Sequence, residues 1–482
     1  MEHQRWSPAE QMLAVTLQGL ANRRQPRVWI RAGGMSAVLL EELQKEGTQI
    51  REVASVWDLI RELKGEIRGA VVYRLGTPSV GVATSLCGPM QGVAVEESLL
   101  ERAQAAGLKV ILDARGMDER QALREHRALF RAGIAVEQAT DKVGHLRDFA
   151  VARSAFTFGT TDSAFRTEAA RALGPNALIF GWGDDEFRWV RDISRANATG
   201  VPADWSLNLS AMQHLSAGKL KRPRRPRPVT EEGVRYIAFV MSDGDNIQWL
   251  GGNFVHDRGF WGSPLRGQFP MTWEVAPTLA EVAPRILRHF YRTATDRDGF
   301  VTGPGVPGYT FPHHHSDRRS IAKQAAGFLR RSDLSVVSVL NDNAGRMEDT
   351  IPLLELPEVE GVIYKDYAPY HRRKGAVLWH HGKPCVAYKF LLWEGIQSPE
   401  QMAQEFAKMP ASPKTDSGSY ALVNVHAWSY RDIGGPMEAV RRAISLLPPD
   451  TRVITADDLI YLLRENFGKK NGSSSPATSP RR

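Results

Sequence analysis

The chain has 482 residues, 42% of them hydrophobic and 24% charged, a length that exceeds one ordinary core and predicts two or more domains. No apolar run approaches the roughly 18–20 residues that cross a bilayer, which excludes a membrane span and predicts a soluble globular protein. The net charge of +8 traces to six basic residues between Lys219 and Arg227 and four more at Lys469, Lys470, Arg481 and Arg482; without these ten the remainder is near −2, so a basic face for nucleic acid is not expected.

The first twenty residues lack a basic start, a continuous apolar segment and a small-residue cleavage site, so no secretory signal is visible. The chain reads as cytoplasmic as it stands, and as secreted only if its start is truncated. Cys87 and Cys385 are far apart and read as two buried thiols rather than a disulfide.

Apolar spacing over residues 9–22 predicts a helix, followed by a first strand at 26–30 with Gly33 and Gly34 as its turn. Strands are predicted at 69–73 and 109–113, a small-residue loop at 84–88 and a helix at 96–106. This alternation predicts an open α/β domain over residues 1–218. The glycine loops at 77–81 and 88–92 lack the G-x-G-x-x-G spacing of a dinucleotide site and read as turns. Residues 178–182 form a further strand, and the acids of 181–186 after it suit a helix N-terminus, with a sugar-facing wall as the alternative.

Residues 219–232 combine clustered charge with prolines and read as an extended linker, while 468–482 read as a disordered tail. Between them lie strands at 234–241, 271–273, 300–302, 335–340, 361–364, 385–389, 420–425 and 452–454. Helices are predicted at 279–293, 321–331, 399–409, 437–447 and 457–466. This alternation over residues 233–467 predicts a C-terminal (β/α)8-like barrel, distorted or seven-stranded because its second and eighth strands are weak.

In such a barrel the loops after the strands build the site. Here they carry Asp243, Asp245 and Asn246 after the first strand, Glu274 after the second, and His313, His314 and His315 after the third. Later strand ends carry Asp366, Trp393 with Glu394, and His426 with Trp428. The segment FVTGPGVPGYTFP at residues 300–312, with MSDGDNIQW at 241–249, GKPCVAYKFLLW at 382–393 and VHAWS at 425–429, resembles the GxGYxYP family, whose designation is "putative glycoside hydrolase". Blocks at 17–26, 82–86, 113–116, 181–186 and 205–210 are similar to its N-terminal part. Two positions depart from the pattern: Val306 stands where the family has a glycine and Phe311 where it has a second tyrosine. The resemblance implies an N-terminal α/β domain, a barrel-like C-terminal domain and a carbohydrate-active hydrolase acting on an oligo- or polysaccharide.

Glycoside hydrolysis needs two carboxyl groups across the scissile bond. Asp243 and Asp245, two apart, point the same way on an extended backbone, so one can act while the other orients it. Glu274, Asp366 and Glu394 are candidates for the opposing carboxyl. Asp245 and Glu394 are preferred, because Asn246 and Trp249 adjoin one and Trp393 the other. His426 is a candidate general acid or base. Asn246, Trp249, Glu274, Tyr309, His313, Trp393 and Trp428 are candidate substrate contacts, since sugar rings pack on aromatic faces and their hydroxyls take directional hydrogen bonds. No cofactor is expected. Two alternatives remain: a deacetylase in which a divalent metal is held by Asp243 or Asp245 and histidines, and a non-catalytic carbohydrate-binding protein.

Overall fold

The predicted first helix forms as Pro8–Ala21, opened by a reciprocal cap between Ser7 and Glu10 that satisfies N–H groups left over at the helix start. The computed structural model describes residues Trp6–Gly159 and Asp162–Asn471 and divides into two units. The first comprises Met1–Lys219, Asn246–Val255 and Thr278–Arg288, the second Leu220–Asp245, His256–Pro277 and His289–Arg482.

In the first unit, strands β1 (Gly69–Tyr73), β2 (Gly92–Glu96) and β3 (Val110–Asp113) form a parallel sheet in the order β2-β1-β3. A second parallel sheet, β5-β4-β6-β7, is made by β4 (Ile134–Glu137), β5 (Phe156–Phe158), β6 (Leu178–Gly181) and β7 (Thr199–Pro202). Two expectations are corrected here. Residues 84–88 are not a loop but the interior of the helix Ser79–Met90, where small side chains permit close approach: a Cβ at Gly88 would overlap the Val151 carbonyl. Residues 26–30 join no sheet. Side-chain amides take the place of a neighbouring strand: Asn22 Oδ1 accepts from the N–H groups of Arg27 and Val28 at 2.8 and 2.9 Å, and Asn208 accepts from the Ile30 N–H and donates to its carbonyl, both at 2.8 Å. Gln18 donates to both Asn208 and the Val28 carbonyl. The acids at 184–186 do structural work, Asp185 capping the helix Glu186–Arg195 and Asp184 pairing with buried Arg166 at 3.1 Å.

In the second unit, β8 (Arg235–Met241), β9 (Met271–Val275), β10 (Asp298–Thr302), β11 (Val336–Asn341) and β12 (Gly361–Asp366) pair in parallel succession. They are followed by β13 (Val377–His380), β14 (Lys383–Ala387), β15 (Phe390–Leu392), β16 (Tyr420–Val425) and β17 (Thr451–Val453). These strands form one curled, mostly parallel sheet in which β16 returns to pair with β8. The stretch from β14 to β15 changes neighbours midway. β14 pairs with β12, the Tyr388 N–H bonds the Tyr364 carbonyl, the Lys389 N–H bonds the Leu422 carbonyl, and β15 pairs with β16. The order departs from the regular eight-stranded arrangement: the expected eighth strand, β17, pairs only with the start of β8, and β13 is an added antiparallel edge.

The predicted helix at 279–293 is interrupted before Pro284, giving Leu279–Val282 and Pro284–Thr293, as expected of a residue that cannot donate to the preceding turn. The basic stretch after Lys219 is not a solvated spacer. Arg222 bonds Asp333 and Ser335, Arg225 pairs with Asp457 and Asp458, and Arg227 pairs with Asp458 and Glu360, all within the second unit. Helical structure continues through Arg464–Gly468 and Lys469–Asn471, and the rest of the expected tail, 472–482, lies outside the described residues. Among the described residues no helix is long and apolar enough to cross a membrane.

Replacing Asn208 removes partners from both backbone groups of Ile30. The expectation for Asn208→Ala is a loss of about 3 kcal/mol, read as a lower thermal unfolding midpoint; an unchanged midpoint would contradict this account of the segment.

Candidate active site

Strand β8 is buried from Tyr236 onward and delivers Ser242 and Asp243 at its C-terminal end. The extended backbone stops there. Asp243 has φ +68°, so the same-side alignment expected for Asp243 and Asp245 does not occur: Asp243 is partly exposed and Asp245 is buried. The turn lies directly on β9, because a Cβ at Gly244 would overlap the Glu274 carbonyl. Only glycine permits that approach. Ser242 Oγ bonds the Asp243 carboxylate and accepts from the Ala427 N–H at 3.3 Å, tying the end of β8 to that of β16.

Beneath Asp243 is a buried polar cluster. Glu274 Oε1 accepts from Ser338 Oγ at 2.6 Å and lies 3.5 Å from Lys365 Nζ, which donates to Asn424 Oδ1 at 3.1 Å. Glu274 Oε2 is buried with no hydrogen-bond partner. Burial pushes the Glu274 carboxyl above its usual range, and the Asp243 charge adds to this while Lys365 and Ser338 oppose it. Gly303 closes over the same side chain, since a Cβ there would overlap that of Glu274. This is why a glycine opens the loop after β10.

His426, at the end of β16, stacks on Trp393 with centroids 3.6 Å apart and planes 5° apart. Its Nδ1 is 2.6 Å from Ser429 Oγ. Burial pushes the imidazole below its ordinary value; the Asp243 charge opposes this and Lys365 reinforces it. Ser429 Oγ also accepts from the Glu394 N–H at 3.2 Å, and the exposed Glu394 carboxylate accepts from the Tyr430 N–H at 2.9 Å. Asp243, Glu274, Trp393, Glu394 and His426 are thus brought together at the ends of β8, β9, β15 and β16.

Other candidates go elsewhere. Asp366 is fully buried and accepts from Arg372, Arg373 and Tyr364 at 3.0–3.4 Å, so its carboxylate is committed to holding the following loop. Tyr309 and Phe311 of the glycine loop are buried and meet edge-on at 5.8 Å, and Phe311 also packs on Tyr367. The hydroxyl missing at Phe311 is therefore lost from packing, not from an open surface. Asn246 and Trp249 belong to the first unit, where Trp249 packs on Phe254 at 4.7 Å. The three histidines diverge: the His313 N–H donates to Asn341 and its ring faces Asp349, His314 bonds Asp342 at 2.8 Å, and buried His315 bonds Thr310. Among the described residues no group of three or more His, Cys, Asp or Glu side chains gathers where a metal could be held. Much of the Trp393 face is occupied by His426 and by Tyr370, stacked at 4.8 Å. Trp428 is 39% exposed and edge-on to Phe260.

Sequence reasoning left Ser338, Lys365 and Asn424 out of the site. Each interrupts a strand buried throughout, and a polar side chain on such a strand must find partners inside the sheet. That was the available signal.

Family profiles match the chain along most of its length: "GxGYxYP_N 1st domain" at residues 1–65, "GxGYxYP_N second domain" at 67–127, "GxGYxYP third domain" at 132–214 and "GxGYxYP putative glycoside hydrolase C-terminal domain" at 233–464. The fold is similar to the crystal structure of a "putative hydrolase" from Bacteroides thetaiotaomicron VPI-5482, with a TM-score of 0.87 and 28% identity over 96% of this chain and 93% of that one. No curated protein matches. The chain belongs to the GxGYxYP family.

Because the native state disfavours protonated His426, its contribution to stability is complete above the usual imidazole value near 6.5 and is lost as pH falls below it. The difference in unfolding midpoint between about pH 7.5 and about pH 5 is expected to shrink in His426→Gln. An identical difference in parent and variant would contradict the assignment.

Proposed function

We propose that the chain is a glycoside hydrolase whose site is the rim formed by the ends of β8, β15 and β16. The reading rests on one observation: the charge of a partly exposed carboxylate, Asp243, acts on two groups whose protonation burial drives in opposite directions, Glu274 toward the acid and His426 toward the neutral base. Titratable groups perturbed in this way cluster at functional sites.

Asp243 and Glu394 are the two solvent-reaching carboxyls and supply the pair that hydrolysis requires. His426, fixed by Trp393 and Ser429, moves a proton to or from the substrate oxygen or water. Glu274, Lys365, Ser338 and Asn424 position Asp243 from below without touching substrate. Trp428 offers the apolar face on which a sugar ring packs. The family designation supports a carbohydrate substrate, and the hydrolase title of the similar structure supports hydrolysis.

On a panel of aryl glycosides and oligosaccharides, Asp243→Asn and Glu394→Gln should each lower kcat at least about 100-fold while binding changes little. Trp428→Ala should instead raise KM by about tenfold, the weight of one stacking contact, and leave kcat near the parent value. Full turnover in both carboxyl variants would overturn the assignment.

A further inference from the structure

The first unit contains a cavity of about 880 Å³ far richer in cations than the overall charge of the folded chain leads one to expect. Arg23, Arg24, Arg27, Arg131 and Arg153 line it, and Glu66 is its single acid. Glu66 is already engaged by Arg27 at 2.6 Å. Arg23 is held by the Gly88 carbonyl at 2.9 Å and by Ser154 Oγ at 3.4 Å, neither of which carries charge. Among the described residues no carboxylate lies within ion-pair distance of the Arg24, Arg131 or Arg153 guanidinium. Arg153 stacks on Phe149, and its Nε is buried without a hydrogen-bond partner.

We propose that this cavity is an oxyanion-binding site, taking a ligand that carries phosphate or sulfate. Guanidinium groups present paired N–H donors matched to such anions, and five of them around one carboxylate leave an excess of positive charge for an anion to neutralise. Burial and then Arg24 push the Arg23 guanidinium downward, and burial and then Arg131 do the same to Arg153, with Glu281 acting the other way on Arg153. The volume falls within the range of small-molecule sites and exceeds what one inorganic phosphate fills, so the ligand has a body beyond its anionic group. The site lies in a different unit from the strand-end carboxyls and stands independently of their function.

The test is calorimetric titration of the full chain with inorganic phosphate, pyrophosphate and a hexose phosphate at low salt. The parent should bind pyrophosphate or the hexose phosphate with a Kd below about 100 μM, weakening as salt rises. Arg24→Glu combined with Arg131→Glu should weaken it by at least about tenfold. Arg319→Glu, an exposed position on the helix Arg318–Ser332 of the second unit, should not change it. Tighter binding of the hexose phosphate than of pyrophosphate marks an ester as the source of the anion, and the reverse marks a free anion. No saturable binding by any of the three probes, or equal Kd values in parent and double variant, would overturn the proposal. So would displacement of every probe by a nucleic-acid duplex that the double variant still binds.

Discussion

The buried contact between Glu274 and Lys365 is the constraint on which the strand-end chemistry depends. Burying two ionisable groups costs several kcal/mol each unless the remaining donors and acceptors are satisfied, and at 3.5 Å the attraction alone does not offset that cost. Ser338 and Asn424 complete the cluster, so β9, β11, β12 and β16 are joined by side chains inside the sheet. Asp243 lies over this cluster because Gly244 lets the turn after β8 rest on the backbone of β9. The same burial that makes the cluster expensive raises the Glu274 carboxyl, and burial lowers the His426 imidazole.

Much of the second unit was legible because strands buried on both faces are long apolar runs, and each strand expected there has a counterpart. What escaped was local. Tyr388 and Lys389 hand the chain from one neighbour to another without any break in apolar pattern, so the strand expected at 385–389 takes in the hand-over and stops short of β15. Asp243 adopts a left-handed conformation that its residue type tolerates but does not announce, and the alignment with Asp245 failed with it. Asp366 looked like any acid at a strand end, and only the fold brings Arg372 and Arg373 back onto it.

The glycine loop carries a related lesson. Its spacing identified the family, yet Tyr309 and Phe311 are packing residues, and Gly303 matters as the space into which Glu274 fits. In the first unit, residues 26–30 have the composition of a strand, but Gln18, Asn22 and Asn208 supply the hydrogen bonds that a neighbouring strand would have supplied. Charge followed the same pattern. The arginines after Lys219 that read as a solvated connector find acids on the second unit, whereas five arginines of the first unit line a cavity with one acid, Glu66. Sequence proximity was a poor guide to both.

The most direct test of the central claim, that Asp243 and Glu394 are the paired carboxyls, is chemical rescue. Asp243→Gly and Glu394→Gly each open space that a small anion can enter, and glycine suits the left-handed backbone at 243. With an aryl glycoside that the parent cleaves, azide should restore at least about tenfold of the lost rate in the variant whose carboxylate attacks the sugar or activates water, and should do nothing for His426→Gln. Parent-like cleavage by both glycine variants without azide would contradict the account.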